Sequence, residues 1–511
     1  MKTTGHTTAD RRYRVVRYAL LGVALLVVGG SFVCVAAGAF RVAMQPIVQI
    51  DPALISSDAE VAIANAVYDY LVDVDADNRI TPRLAVSWTV SPDGTEYTFI
   101  LAEGIHFHDG TALVPGDVAW TFDRLRAAGS GLPTESLYAN IDRIDVTGPR
   151  EVTFRLTEPN PFFLFDLADN HALVVKRGTA DFSTFNGTGP FVVDEYRPED
   201  RILLRANERY FATDLPKLDR LEFLFFADSV AAVDALRGGQ VDMAWRMPTA
   251  LLLSLRSEPG IIAVDVPTNG FDLVRLRSDI GAGTDPRVVE AMKRATDRTA
   301  IFRVVQLGLG AVGRDSPVGP LYPDYYDEST PIPPRDPAAA RALLAAAGYP
   351  DGLALDLYTP DTGGRPDLAV VLKEQWAEAG IDVNVIVEPE SVYYGENHWM
   401  DAELGITGWG SRPYPQFYMS SMLTCDAAWN ESRFCDDAFD ALAAVAGTTL
   451  DEAERVAAYA EIQRILIERG PVIIPYFFAS VAAHSDRFGG VELKAFPGRT
   501  DFRAVFVASE G

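Results

Sequence analysis

The sequence predicts a mixed α/β architecture with at least two lobes. Three observations carry this reading. At 511 residues the chain is longer than one ordinary domain of about 100–200 residues. Residues 336–387 read as helix, strand, helix, strand, the order of an α/β layer. Residues 91–101 instead read as a turn followed by an alternating strand, as antiparallel structure requires.

The elements can be justified in chain order. Lys2, Arg11, Arg12, Arg14 and Arg17 precede an uncharged stretch, Tyr18–Phe40, that ends in Ala37-Gly38-Ala39. Basic, then apolar, then small is the order of a secretory signal, with a cut after Ala39. The stretch is also long enough to remain as an N-terminal membrane anchor with its basic side inward. Ser91-Pro92-Asp93-Gly94 is turn chemistry, and Tyr97, Phe99 and Leu101 then alternate as one buried strand face. Val118, Phe122 and Leu125 follow at helical spacing.

Pro337 suits a first helical position, Ala338–Ala347 favours helix, and Gly348 is a natural stop. Leu353, Leu355 and Leu357 alternate as a strand, a second helix runs to Gly380, and Ile381–Val387 is the next strand. Thr449 and Glu452 have capping-box spacing at the start of a helix whose Val456, Tyr459, Ile462 and Leu466 share a face. Gly470-Pro471 ends it, and Val472–Phe478 reads as an apolar strand. No internal repeat appears, which excludes a solenoid.

Composition narrows the function classes. The apolar share of 48% and charged share of 23% are those of a globular protein, but the net charge is −26. Such a field repels phosphate backbones and excludes nucleic acid as a partner. Three cysteines are present, and Cys34 lies in the apolar N-terminal stretch. For an exported chain, Cys425 and Cys435 fit a small-loop disulfide better than a metal site.

Several segments together resemble a known family. They are Pro82–Trp88, Ser91–Gly94, Gly104–Gly110, Gly187–Phe191, Leu236–Asp242, Ala295–Ile301, Ala345–Gly352 and Gly408–Gly410. In this order they resemble family 5 extracellular solute-binding proteins, the dipeptide-, oligopeptide- and nickel-type receptors of bacterial ABC importers. The resemblance implies a two-lobed periplasmic-binding-protein fold of type II, with an extra subdomain in the first lobe and a hinge between lobes. It places lobe I at 40–270, its extra subdomain at about 75–185, lobe II at 271–479, and a return to lobe I at 480–511. Residues 1–39 are then the signal or anchor.

The remaining motifs are weighed against that background. His106 and His108 share a strand face, but the other histidines are scattered, so no metal is expected. Gly308, Gly310 and Gly313 match a dinucleotide fingerprint by letter only. They follow a helical pattern and precede a proline-rich loop, and are read as a flexible connection without cofactor. No hydrolase elbow, zinc-protease or Walker motif is present, so no catalytic residue is assigned.

Gly408–Ser432 is the informative stretch. Peptide-binding relatives usually hold the ligand ammonium with an aspartate shortly after the Trp-Gly pair, whereas Arg412 stands in that neighbourhood here. An arginine favours a carboxylate or phosphate. Trp245 and Arg246 fall where the resemblance brings the first lobe to the cleft, and with Trp409, Arg412, Trp429 and Asn430 they are the expected ligand-binding residues, aromatic rings supplying surface and Arg412 and Asn430 setting orientation.

The resulting expectation is a non-enzymatic, monomeric receptor, periplasmic or extracellular. It captures a small organic solute with an anionic group, such as a modified amino acid, opine-like conjugate or short peptide, and delivers it to permease subunits. A di- or oligopeptide receptor and an oligosaccharide receptor are alternatives within the fold, and an exported hydrolase is an alternative outside it.

Overall fold

The structure, a computed structural model, describes residues 38–508 except 397 and 497. The basic and apolar N-terminal segment lies outside the described residues up to position 37. Among the described residues no helix is long and apolar enough to cross a membrane.

The backbone of the molecule is a mixed sheet of twelve strands. From one edge it runs Ile381–Glu388, Leu353–Pro360, Leu404–Trp409, Ile261–Leu276, Tyr476–Ser485, Met243–Trp245, Ala39–Met44, Arg220–Phe225, Arg201–Ala206 and Phe191–Arg197. The short strands Ala311–Val312 and Val472–Ile473 branch from it. Alternation along the strands sends side chains to opposite faces. Phe271 and Leu273 enter one hydrophobic cluster, while Val274 and Leu276 enter another. At the other end Val42 and Met44 join a third cluster and Ala43 a fourth.

Among the described residues two long strands run through both halves. Ile261–Leu276 pairs with Tyr476–Ser485 from Ile261 to Pro267, shifts register, and resumes at Phe271, where it also begins to pair with Leu404–Trp409. Thr268, Asn269 and Gly270 occupy the shift. A Cβ at Gly270 would lie 2.9 Å from the Phe478 ring and 3.2 Å from the backbone N of Ser411.

The expected hairpin is present. Gly94 adopts φ +69°, and Tyr97, Phe99 and Leu101 are buried in a four-stranded antiparallel sheet with Ala85–Val90, Glu151–Leu156 and Ile141–Gly148. Phe122 of helix Pro115–Leu125 packs edge-on to Phe154 at 5.1 Å and Tyr138 at 5.3 Å. Asp336 caps helix Pro337–Ala346 through the amides of Ala338 and Ala339, and Gly348 takes φ +102°.

Three local readings are corrected. Helix Glu452–Arg469 is capped by Asp451, which accepts from the amides of Ala453 and Glu454, while Thr449 lies outside and donates to Glu454. A carboxylate next to the first turn outcompetes the more distant hydroxyl. The strand expected over 472–478 is two strands, Val472–Ile473 and Tyr476–Ser485, because Pro475 carries no N–H to continue a ladder. The Gly308–Gly313 stretch is pinned rather than flexible. Cβ atoms at Gly310 and Gly313 would fall 2.1 Å and 1.9 Å from the carbonyl oxygens of Phe477 and Ile474, so glycine is what lets Ala311–Val312 approach Tyr476–Ser485.

The C-terminal segment is tied back by a buried ionic cluster. Arg83 Nε donates to Asp69 at 2.6 Å and Arg83 Nη1 to Asp73 at 3.1 Å. Arg499 also donates to Asp73, and Lys494 Nζ lies 3.9 Å from it. Burial opposes the Asp73 charge, but Lys494, Arg499 and Arg83 hold its carboxyl far below the usual range. Asp501 is likewise pulled down to about 2, its burial outweighed by Arg503, Arg83 and Lys494.

Candidate functional site

A cavity of about 650 Å³ lies between elements carried by the two ends of the sheet. One wall is built where strand Ala39–Met44 ends, at Met44 and Gln45, and where helix Asp58–Val67 begins. That helix start is rigid: Ser57 and Glu60 form a capping box, and Glu60 also accepts the amides of Val48, Gln49 and Ser56. Burial pushes the Glu60 carboxyl up, yet these amides leave it below the usual range. Trp245 and Arg246 complete the wall, and Thr362, Gly363 and Glu390 face them from the other side.

Trp245 ends strand Met243–Trp245 opposite Ala482 and is buried, edge-on to Phe502 at 6.2 Å. Arg246 turns the chain in the left-handed region at φ +52°, which brings its guanidinium out of the strand. Its Nη1 lies 2.7 Å from Asp58 Oδ2. Burial raises the Asp58 carboxyl above the ordinary value, and Arg246 only partly offsets this. Opposite, the Thr362 hydroxyl donates to Glu390 at 3.3 Å, and Arg365 holds the Thr362 carbonyl at 3.1 Å. Arg365 is itself fixed to buried Asp272 at 2.9 Å.

The remaining expected residues form a second group at the end of strand Leu404–Trp409. The Trp409 indole is buried and donates to Glu431 Oε1 at 3.0 Å. Glu431 also accepts from Thr407 at 2.7 Å and lies 3.4 Å from the fully buried Arg275. Burial pushes the Glu431 carboxyl up, and Arg275 does not restore it. Trp429 is 45% exposed, 6.1 Å from Trp409 and 6.4 Å from Phe417. Arg412 lies 4.4 Å over the Phe417 ring and donates to the Ser411 carbonyl at 3.3 Å. Among the described residues it has no carboxylate within 4.0 Å.

Asn430 does not fit the ligand-orienting role read for it. Its amide donates to the carbonyls of Thr424 at 3.0 Å and Phe434 at 2.7 Å, and accepts from Ser432 and the Phe434 amide. Every polar atom is spent inside a loop that the Cys425–Cys435 disulfide closes. The expected histidine pair is structural in the same sense. His108 is held between the carbonyls of Phe185 and Gly189, and His106 bonds the Gly104 carbonyl.

Trp245 and Arg246 thus line the cavity, whereas Arg412 and Trp429 gather around Phe417, with Trp409 against Trp429. Sequence reasoning missed Asp58, Glu390 and Glu431. The Ser57-x-x-Glu60 spacing signals the rigid helix start beside Asp58, and Glu431 stands inside the stretch already singled out.

Two half-structures joined by a pair of continuous strands, with a cavity between them, define a two-lobed binding protein. Residues 79–430 match the family model described as bacterial extracellular solute-binding proteins, family 5 Middle. The chain belongs to that family. It is 28% identical over 474 residues to di/tripeptide-binding protein 1 of Pseudomonas aeruginosa, covering 83% of this chain and 85% of that one. Among solved structures, HbpA2 from Haemophilus parasuis superposes with a TM-score of 0.82 at 22% identity, covering 92% of this chain and 100% of that chain. The periplasmic binding protein DppA from Helicobacter pylori, solved with the peptide STSA, gives 0.76 at 24% identity, covering 92% and 98%.

Proposed function

We propose that this solute-binding protein captures a small organic solute bearing an anionic group and presents it to the permease subunits of an ABC importer. The observation that carries the anionic reading is Arg412, a half-buried cation over Phe417 that no carboxylate among the described residues bonds directly, Asp169 feeling its charge only from further off. A ligand carboxylate or phosphate completes its fork, while Trp409, Trp429 and Trp245 supply apolar surface. Lobe I comprises residues 40–270 and 480–511, with the extra subdomain at about 75–185, and lobe II comprises 271–479. The register shift over 268–270 and the separate hydrophobic clusters on either side support these boundaries.

Solute held by both lobes stabilises the closed arrangement over the open one, which is the whole of the work; no bond is made or broken. The chain acts as a monomer outside the cytoplasmic membrane, exported by residues 1–39 or held by them. A second reading, a di- or tripeptide receptor, is favoured by Asp58 and Glu390, which offer carboxylates to an ammonium inside the cavity.

A thermal-shift panel of peptides, opine-like conjugates, sugars and metal chelates separates these readings, since a ligand of the folded state raises its melting temperature. The anionic reading expects one carboxylate- or phosphate-bearing class to shift the protein without being turned over. Arg412→Ala is expected to weaken that binding by more than about tenfold with little change in melting temperature. Unchanged affinity removes Arg412 from the site. Under the peptide reading, N-acetylation of the best peptide abolishes the shift.

A further inference from the structure

The region around residues 75–185 touches the second lobe outside the cavity, where it meets the loop that follows Arg412. Phe162 stacks on Tyr414 with ring centres 4.7 Å apart and an interplanar angle of 10°. Tyr325 lies edge-on to the same Phe162 at 6.2 Å, and the Arg455 guanidinium sits 5.8 Å from its ring. Phe162 is buried, although it belongs to a hydrophobic cluster otherwise made of residues 271–477. Next to it the Tyr414 hydroxyl donates to Asp166 Oδ1 at 2.5 Å, and Asn160 Nδ2 donates to Asp166 Oδ2 at 2.8 Å. Asn78 Nδ2 reaches across to the Pro413 carbonyl at 2.8 Å.

We propose that Phe162 and Asp166 clamp Tyr414 when the lobes close, and that closing the clamp takes up a proton on Asp166. The inference rests on the reading of the two lobes as moving parts that shut over the cavity.

The geometry gives the reason. With Tyr414 laid over it, Asp166 is 3% exposed, and a carboxylate there has lost water on every side. Two hydrogen-bond donors replace that water, but among the described residues no cation lies within 4.0 Å of it. Burial therefore pushes the Asp166 carboxyl up to about 7, Tyr414 and Asn160 hold it back, and Asp169 pushes it further. Other ionisable groups surround it. Tyr138 donates to the Asp166 carbonyl, and Tyr97 donates to the Asn160 carbonyl. Asp169 is held as an anion by His171 at 2.6 Å and feels Arg412. His171 is raised above its ordinary value, its burial outweighed by Asp169. Arg455, from helix Glu452–Arg469, contacts the ring of Phe162.

Lifting Tyr414 away returns Asp166 to water and to an ordinary carboxyl value. A group whose closed-state value is raised favours closure fully below its open-state value, and that favour is lost as pH rises through about 7. The closed-to-open ratio is then expected to fall about tenfold between pH 6 and pH 8.

The test needs no solute. In the full chain with Cys34→Ser, exposed Val146 and Val370 are replaced by cysteine and labelled with a donor–acceptor dye pair, and single-molecule energy transfer counts closed and open molecules from pH 5.5 to 8.5. The expected result is a roughly tenfold fall in the ratio of high- to low-transfer molecules between pH 6 and pH 8 in this background, a flat profile with Asp166→Asn, and a fall displaced to higher pH with Tyr414→Phe. The last shift follows because removing a donor to the charged form raises the carboxyl value further. A pH-independent ratio overturns the proposal. So does an Asp166→Asn profile that keeps the fall and loses it only when His171→Gln is added, because the proton then belongs to His171. Failure of every solute to bind would sink the receptor reading while leaving this profile intact, so the two outcomes stay separate.

Discussion

Asp73→Asn is expected to be among the most damaging isosteric changes in the chain, and the buried cluster sets its size. The Asp73 carboxylate is shared by Arg83, Arg499 and Lys494, whose side chains are 5%, 4% and 7% exposed. An amide keeps the volume and loses the charge, leaving three buried cations with Asp69 and Asp501 as their remaining counter-charges. Breaking a buried pair from one side costs about 3–5 kcal/mol. Urea unfolding at pH 7, followed by far-ultraviolet circular dichroism, measures it directly. The pH dependence fixes the sign independently. Because the folded Asp73 carboxyl is held far below its unfolded value, its contribution is complete at pH 7 and is lost as pH falls. At pH 3 most unfolded chains are already protonated at this carboxyl, so the gap between wild type and Asp73→Asn should narrow by about 1 kcal/mol. Asp77, 78% exposed, serves as control, and its Asn variant should lie within about 0.5 kcal/mol of wild type. A cost for Asp73→Asn below about 1 kcal/mol at pH 7, or a gap that widens at pH 3, refutes the reasoning.

Two further outcomes are expected. Opening the Cys425–Cys435 bridge, whose partners are 10 residues apart, should cost about 3 kcal/mol on loop entropy and increase quenching of Trp429 emission by iodide. Glu431→Gln should cost less at pH 8 than at pH 5. Burial holds the folded Glu431 carboxyl above its ordinary value, so the stability it contributes is present at low pH and lost as pH rises. Urea midpoints at the two pH values check this.

Much of the frame was legible because it is written in short-range patterns. The alternation of Tyr97, Phe99 and Leu101 and the Asp336-Pro337 helix start each depend on neighbours a few residues away. The order of motifs from Pro82 to Trp409 did the same for the fold as a whole. The site was half legible. Trp245 and Arg246 were singled out and do line the cavity, but the facing wall at Thr362 and Glu390 comes from turns whose composition has nothing special about it. Asn430 misled, since a polar side chain in a suggestive segment says nothing about whether its loop consumes it. The contact between Asp166 and Tyr414 joins positions 248 apart, and that between Asp73 and Arg499 joins positions 426 apart. No periodicity encodes such pairs; only the completed topology brings them together.

The two strands that cross between the halves also govern the order in which the molecule can be built. Strand Met243–Trp245 needs Tyr476–Ser485 at its edge, and Asp73 needs Arg499 and Lys494, so the first half of the chain cannot close its own sheet or neutralise its own interior. Until the final segment arrives, that half carries an open strand edge and an unbalanced buried carboxylate, both of which favour the unfolded chain. Contacts spanning most of the sequence are slow to form, because loop closure must come before they can reward it. The tail therefore acts as a timer. The first half commits to its compact form only once the segment carrying Tyr476–Ser485, Lys494 and Arg499 has been made.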